Sequence, residues 1–326
     1  MFVRNPNDVW IYTLILASSA LLSNLVLFSF LKKYIVRVKI TWKDIARHIK
    51  PNLTMFLPVI AVSIYNVMDK IMLGIMSSVA EVGYYENAEK IKGVCLSLIT
   101  ALGVVSLPRV SNMISMKQHR EIEELIKKTM KFSLFLAVPM VAGLVCVGQD
   151  FANIFFGWDF SKSGILLQLL STTLLFMAWG NIIRTQYLIP YEKDKIYVKS
   201  AFIGAIVNFV CNLILIPFLS SVGACLGTIA AEAAVTIYQS IKVRRQLPLY
   251  AYLRDSFGFL VKAIIMAVIV IIVGLVVTNP IAKIICQVIV GGLAYMLLNV
   301  NYLEHDLGFF EMFIKLPRRI SKKGGK

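Results

Sequence analysis

Residues 201–241 read AFIGAIVNFVCNLILIPFLSSVGACLGTIAAEAAVTIYQSI and decide the fold class. The stretch consists of two apolar blocks separated by the pair Ser220-Ser221, and it contains no lysine or arginine. A helix of roughly 20 apolar residues crosses the hydrocarbon core of a bilayer. Because lipid offers no partners to open backbone groups, each block must be helical. The stretch therefore predicts two membrane-spanning helices joined by a very short turn.

The same pattern recurs along the 326-residue chain, of which 58% is hydrophobic. Soluble domains are about 45–50% apolar, so the excess indicates a membrane environment. Nine blocks qualify as spanning helices, and they predict an all-α, polytopic transmembrane protein. Their approximate limits are 10–31, 53–76, 87–108, 131–149, 165–187, 198–219, 222–241, 259–278 and 281–302.

The net charge of +16 is concentrated in the loops between apolar blocks and does not indicate nucleic acid binding. Five alternate segments carry seven, six, three, four and six lysines or arginines; they are 32–50, 109–131, 189–199, 242–258 and 304–326. The intervening loops contain only Lys162, although Lys90 and Lys92 lie toward the same side. Basic loops stay in the cytoplasm. We therefore expect Met1 outside and the C-terminus, with its basic and disordered tail, in the cytoplasm.

The sequence offers no catalytic, metal or cofactor signature. Its five cysteines form no CxxC pair, and its three histidines have no cysteine or second histidine nearby. These spacings argue against a disulfide framework and a zinc site. No paired carboxylates or nucleophile–base group lie at one membrane depth, so the chain is not expected to be an enzyme.

Residues 115–128 form the one amphipathic loop. Acidic residues precede Lys127 and Lys128, while Ile122, Leu125 and Ile126 share a face. This pattern suits either a short helix lying on the membrane surface or a solvated charged linker.

Ionisable residues inside spanning helices are energetically unfavourable and by default mark a pathway. Asp69 and Lys70 are adjacent in the second block, about 100° apart around the helix, so they need not pair. Asn66 and Lys70 share a face that would line a cavity. Alternatively, Asp69 and Lys70 lie near the outer interface, with Lys70 extending to the head groups.

Four further polar residues each have two interpretations. Arg109 either binds anionic lipid or phosphate or anchors the topology at the cytoplasmic boundary. Arg184 either forks onto a phosphate in a central cavity or lies at the interface. Asn208 and Asn212, spaced i, i+4, bond either sugar hydroxyls or a neighbouring helix.

Glu232 lies mid-span in a stripe with Thr228 and Thr236. It can carry a coupling proton or cation, or it can form a packing hydrogen bond among small residues. The charges inside the membrane are mixed but favour positive charge, with Lys70 and Arg184, joined by Lys90 or Lys92, against Asp69 and Glu232. Such a cavity suits an anionic substrate such as a sugar diphospholipid head group.

Several long stretches resemble a known family. Residues 50–91 read KPNLTMFLPVIAVSIYNVMDKIMLGIMSSVAEVGYYENAEKI, residues 99–113 read ITALGVVSLPRVSNM, and residues 180–200 read GNIIRTQYLIPYEKDKIYVKS, continuing into the stretch quoted above. Together they resemble Wzx-type polysaccharide flippases of the MATE-like multidrug/oligosaccharidyl-lipid/polysaccharide exporter superfamily. The resemblance runs from about Phe2 to about Arg245, and the last two helices are generic.

The resemblance implies two six-helix lobes that rock to alternate access. It implies flipping of undecaprenyl-diphosphate-linked repeat units for O-antigen, capsule or exopolysaccharide assembly in the bacterial plasma membrane. Partners would be membrane lipids, a coupling proton or cation, and polymerase or glycosyltransferase machinery. The implied cavity residues are Asp69, Lys70, Arg109, Arg184 and Glu232, with Asn66 and Asn208 as further candidates.

Against that pattern, the chain lacks about five N-terminal helices. We expect residues 1–50 to hold the last helix of the first lobe and a linker. The C-terminal lobe would cover 51–245, two additional helices 246–303, and the tail 304–326. Two other interpretations stay open: a drug/cation antiporter of the same superfamily, and a truncated membrane fragment that transports nothing.

Overall fold

A computed structural model describes residues 9–31 and 41–305 of the chain. Regular structure in these ranges is entirely helical, which confirms the predicted all-α class. The helices are α1 (Val9–Leu31), α2 (Trp42–Met76), α3 (Val79–Ser115), α4 (His119–Phe155), α5 (Lys162–Ser171), α6 (Thr173–Ile183), α7 (Asp194–Leu219), α8 (Ser221–Val243), α9 (Leu249–Val276), α10 (Pro280–Leu298) and α11 (Val300–His305). A π-helical turn, Arg184–Leu188, continues α6. The loop at 32–40 and the predicted basic tail from 306 onward lie outside the described residues.

Eight segments of the described residues are long and apolar enough to cross a membrane. They lie in α1, α3, α4, α5 through the π-helical turn, α7, α8, α9 and α10. The remaining predicted span, 53–76, falls within α2, where several side chains are not among those that the structure describes. The outer faces carry large apolar side chains, such as Ile264, Val268 and Ile271 on α9. These faces suit lipid rather than water.

The chain divides into two compact units, Met1–Asn52 and Leu53–Lys326. Within the second unit, α7 and α8 form a tight hairpin joined by Ser220 alone. A Cβ added at Gly223 would lie 2.6 Å from the backbone carbonyl of Leu215, so glycine is what permits this close approach. Small residues have the same role between other membrane helices. The predicted pair of spanning helices with a very short turn is confirmed.

The carboxylate of Glu81 connects the starts of three helices. It accepts hydrogen bonds from Lys162 Nζ at 2.7 Å, from the backbone N–H of Ser221 at 3.2 Å and from the Ser221 hydroxyl. Glu81 lies in the first turn of α3, Lys162 begins α5 and Ser221 begins α8. Negative charge is also favourable at a helix N-terminus, as here at α8. The Glu81 side chain therefore connects α3, α5 and α8 at one end of the helix bundle.

Helices α9 and α10 pack on α4 through an aromatic cluster. The ring of Phe135 on α4 lies 5.6 Å from Phe259 on α9, 5.3 Å from Tyr295 on α10 and 5.1 Å from Tyr302 on α11. Each such pair adds about 0.5–1.5 kcal/mol beyond area burial.

Two ion pairs hold the same helices at opposite ends of α4. Lys127 lies 2.9 Å from Asp255 on α9, and Asp150 lies 2.6 Å from Lys283 on α10. Both ends of α4 are thereby fixed to the C-terminal helices. The domain boundary predicted at residue 246 remains a prediction.

The amphipathic segment 115–128 differs from both predicted interpretations. It contributes the first turns of α4, which begins at His119 and continues into the membrane-crossing part. Ile122 and Ile126 are 2% and 1% exposed, in one buried cluster with Leu188 and Val243. The predicted helix on the membrane surface is therefore wrong, and so is the solvated linker. The apolar face packs into the protein because other helices extend to the same depth.

Candidate functional site

A buried carboxylate network centres on Asp69 of α2. Its Oδ2 atom accepts a hydrogen bond from the Tyr85 hydroxyl of α3 at 2.8 Å and lies 2.9 Å from the Thr228 hydroxyl of α8. Its Oδ1 atom accepts a hydrogen bond from Asn212 Nδ2 of α7 at 2.5 Å. Asp69 is only 1% exposed, so the hydrogen bonds take the place of solvent. Four helices converge on this side chain.

Asn208 extends the network by one turn of α7. Its Oδ1 atom accepts a hydrogen bond from Asn212 Nδ2 at 3.2 Å. Asn212 Oδ1 is buried and has no hydrogen-bond partner among the described residues. The carboxylate and hydroxyl oxygens of Asp69, Tyr85 and Thr228 are of the kind that a hard cation prefers, whereas Asn212 presents its Nδ2 donor to Asp69. In the described ranges, no group of three or more His, Cys, Asp or Glu is arranged to hold a metal ion.

Lys70 does not join its neighbour Asp69. Its Nζ atom forms an ion pair with Glu89 of α3 at 2.9 Å, and it thereby leaves the carboxylate network to neutral donors. Sequence reasoning missed Glu89 as the partner because nothing in the spacing shows how α2 faces α3. Asn66 lies on α2, and its side chain is outside what the structure describes.

A second polar site is a cavity of about 240 Å³ between α3, α6, α7 and α8. Arg184 and Asn181 line it from one side, and Glu232 and Thr236 line it from α8. Arg184 Nη2 donates to Asn181 Oδ1 at 2.8 Å, and its guanidinium lies 5.7 Å from the centre of the Tyr197 ring. The structure thus brings Arg184 and Glu232, predicted separately, to the same cavity.

Arg184 is the first residue of the π-helical turn Arg184–Leu188. Gln186 in this turn is fully buried and its Oε1 atom accepts a hydrogen bond from the Thr129 hydroxyl of α4 at 2.6 Å. Single π turns inside helices are rare, and many of those that are known lie at functional sites. No signal in the sequence predicted this turn, which sets the direction of the arginine relative to α6.

One face of α8 connects the two polar sites. Thr228 belongs to the Asp69 network, while Glu232 and Thr236 line the cavity. Successive members of this i, i+4 stripe lie about 6 Å apart along the helix axis. The stripe seen in the sequence therefore reaches from the buried carboxylate to the arginine cavity.

Arg109 stands apart from these sites. It follows Pro108 within α3, is exposed and does not line the cavity around Arg184. The structure does not bring it together with Arg184 or Asp69.

A separate cavity of about 520 Å³ lies between α3, α4, α9 and α10. It is lined almost wholly by apolar side chains, among them Ile91, Pro139, Met266 and Ile284. The sequence did not predict it, because apolar residues facing a cavity and facing lipid have the same composition.

Helices long and apolar enough to cross a membrane, enclosing a charged cavity and a buried polar network, are typical of a multi-pass membrane protein. The sequence model of the family described as lipid II flippase MurJ matches residues 10–305, and the chain belongs to this family.

Relatives of known name place the chain in the same superfamily. A Shigella dysenteriae protein described as an O-antigen transporter is 22% identical over 240 residues, which cover 73% of this chain and 60% of that protein. The lipid II flippase MurJ of Bacillus subtilis is 26% identical over 161 residues, covering 48% and 29% respectively. A solved structure of lipid II flippase MurJ in an inward closed conformation superposes with a TM-score of 0.69 at 19% identity, covering 85% of this chain and 59% of that one.

These comparisons confirm the predicted flippase superfamily, and the matching family model is that of MurJ. The structural match shows the shared fold. The chain spans about 60% or less of the length of the relatives compared.

Proposed function

We propose that the protein moves undecaprenyl-diphosphate-linked oligosaccharide repeat units across the membrane by alternating access, for O-antigen, capsule or exopolysaccharide assembly. The observation that carries this proposal is Arg184 lining a cavity of about 240 Å³ inside the helix bundle. The described names of the relatives, an O-antigen transporter and lipid II flippases, support the same substrate class.

The arginine suits a diphosphate better than a lysine would. A guanidinium presents five N–H donors in a planar fork that matches phosphate oxygens. Asn181 accepts one of these N–H groups at 2.8 Å and so orients the fork within the cavity. Charge-assisted hydrogen bonds of this kind are about twice as strong as neutral ones.

The lipid part of the substrate needs an apolar environment. The cavity of about 520 Å³ between α3, α4, α9 and α10 offers one, with Ile91, Met266 and Ile284 in its lining. Burying a CH₂ group contributes about 0.8 kcal/mol relative to water, and a prenyl chain has many carbons. We propose that this cavity receives a segment of the chain while Arg184 holds the head group.

Coupling to an ion gradient belongs to the Asp69 network in this proposal. One carboxylate oxygen of Asp69 lies beside the Thr228 hydroxyl, and the other accepts a hydrogen bond from Asn212 Nδ2. A proton or a small cation bound there would change the charge at the meeting point of α2, α3, α7 and α8. Glu232, one turn from Thr228, would transmit that change to the Arg184 cavity.

The proposed location is the plasma membrane, with a cytoplasmic C-terminus and with polymerase or glycosyltransferase machinery nearby. The segments 109–131, 189–199 and 242–258 carry six, three and four lysines or arginines. This bias supports a cytoplasmic location for them.

A cell-based experiment tests the function. In a host whose own flippase is deleted, expression of the protein should restore surface polysaccharide, and Arg184→Ala should reduce the restored amount at equal protein level. Absence of restoration, or full restoration by Arg184→Ala, would contradict the proposal. Efflux of cationic dyes without polysaccharide export would instead indicate the antiporter.

A further inference from the structure

An unpaired acceptor faces the Arg184 cavity from α8. Gln239 lines the cavity and is 2% exposed. Its Nε2 atom donates to Ser200 Oγ at 2.9 Å, whereas its Oε1 atom has no hydrogen-bond partner among the residues that the structure describes. The Ser200 hydroxyl donates to the carbonyl of Tyr197 at 2.7 Å, so its oxygen must accept from Gln239. These two hydrogen bonds assign Nε2 to the side of Ser200, and Oε1 is the amide atom without a partner.

A glycine of α6 lies close to that oxygen. A Cβ added at Gly180 of α6 would lie 3.1 Å from Thr236 Oγ1 and 3.6 Å from Gln239 Oε1. The Thr236 hydroxyl donates to the carbonyl of Phe176 at 3.0 Å, so its oxygen also presents lone pairs. All of these residues line the same cavity. We define a small recess in the cavity wall by these two acceptor oxygens, of Thr236 and Gln239, and by Gly180 beside them.

We propose that this recess recognises the sugar next to the diphosphate, by accepting hydrogen bonds from a hydroxyl or an amide N–H of that sugar. The proposal rests on the proposed function and adds a specificity contact to it. A buried acceptor without a partner is destabilising, so a ligand that supplies a donor is bound selectively.

The chemistry of the recess separates it from the anion contact. Two neutral acceptor oxygens repel phosphate, which has only acceptors in its ionised form. Arg184 and Glu232 line the same cavity with opposite charges, and the Arg184 guanidinium is the group that meets the phosphate. A neutral group that carries a donor and is attached to a diphosphate fits both contacts: the group binds the recess, and the diphosphate binds Arg184. Sites built to hydrogen-bond a substrate hydroxyl or N–H discriminate strongly against analogues that lack it.

Binding of two lipids to the purified full chain in nanodiscs tests this assignment. One probe is undecaprenyl diphosphate, and the other is the same lipid carrying a single N-acetylhexosamine. The wild-type protein should bind the glycosylated probe about tenfold more tightly, as one additional buried hydrogen bond would produce. Gln239→Leu and Gly180→Ala should bring the ratio of the two Kd values close to one, by weakening only the glycosylated probe.

Two controls keep the test decisive. Arg184→Ala should weaken both probes equally and leave the ratio unchanged. Gly258→Ala, on α9, should change neither Kd, because a Cβ there meets nothing within 4 Å. Alanine is a better helix former than glycine, but its Cβ would lie 3.1 Å from Thr236 Oγ1, so the unfolding temperature of Gly180→Ala is measured alongside, and Gln239→Leu carries the test if that temperature falls.

The measured Kd values also distinguish failure of the sugar recess from failure of the proposed function. If Gln239→Leu and Gly180→Ala keep the wild-type ratio while Arg184→Ala weakens both probes, the sugar recess is wrong and the proposed function stands. If the wild-type chain binds neither probe, or Arg184→Ala changes neither Kd, the recess and the proposed function both fail.

Discussion

Asn212 on α7 donates its Nδ2 hydrogen to Oδ1 of Asp69 on α2 at 2.5 Å, and this contact joins two helices that are far apart in sequence. The other carboxylate oxygen meets Tyr85 of α3 and Thr228 of α8. Four helices, α2, α3, α7 and α8, thus meet at the charge of the Asp69 carboxylate. A change in that charge reaches all four at once.

Replacing Asp69 with asparagine tests the cation site. Ligands that bind only the folded state raise the unfolding temperature. We expect the wild-type protein to unfold at a higher temperature in Na⁺ than in choline at the same ionic strength, and Asp69→Asn to abolish the difference. The matched control is Asp150→Asn, which removes a partly exposed carboxylate paired with Lys283 and should preserve the Na⁺ response. A response that survives in Asp69→Asn would remove Asp69 from the site.

Glu81 should be a stability residue. Glu81→Gln removes the charge that Lys162 and Ser221 contact, which leaves the lysine without its partner. We expect a loss of about 1–3 kcal/mol in the free energy of unfolding. Glu86→Gln breaks only an exposed i, i+4 pair with Lys90 and should cost less than about 1 kcal/mol. Thermal unfolding of both variants in one detergent measures the difference, and equal midpoints would refute the three-helix connection.

Arg109 should be dispensable for transport. It is exposed and lines neither of the two cavities, so Arg109→Gln should change export less than twofold at equal protein level. Surface polysaccharide in the flippase-deleted host measures this. A loss as large as that of Arg184→Ala would return Arg109 to the binding site.

The topology can be read with single cysteines. In a background with the five native cysteines replaced, a cysteine at Ser220 should react with a membrane-impermeant maleimide from outside intact cells. A cysteine at Lys117, in the turn between α3 and α4, should react only after the cells are opened. The reverse pattern would invert the orientation that the basic loops predict.

The helical architecture could be predicted because it depends on local properties. Runs of about 20 apolar residues must be helical in lipid, whatever they pack against. The stripe of Thr228, Glu232 and Thr236 was also visible, since residues four apart share a helix face. Individual candidates could be named in this way, but their grouping could not.

The grouping depends on how helices face one another, which a single sequence does not encode in any local pattern. Asp69 meets Tyr85 and Asn212, whereas Lys70, its neighbour, turns to Glu89. The segment with Ile122 and Ile126 was expected at the membrane surface or in water, because its apolar face alone does not show that another helix covers it. The π-helical turn at Arg184 likewise results from packing, since no residue type specifies it.

In the proposed function, the Arg184 cavity carries the head group of a lipid-linked oligosaccharide across the membrane. The most direct test of this function is the transbilayer movement of a fluorescent undecaprenyl-diphosphate saccharide in vesicles that contain the purified protein. The wild type should move the lipid faster than protein-free vesicles, Arg184→Ala should slow it at least tenfold, and Arg184→Lys should lie between, because a lysine keeps the charge without the fork. Equal rates for the wild type and Arg184→Ala would contradict the account.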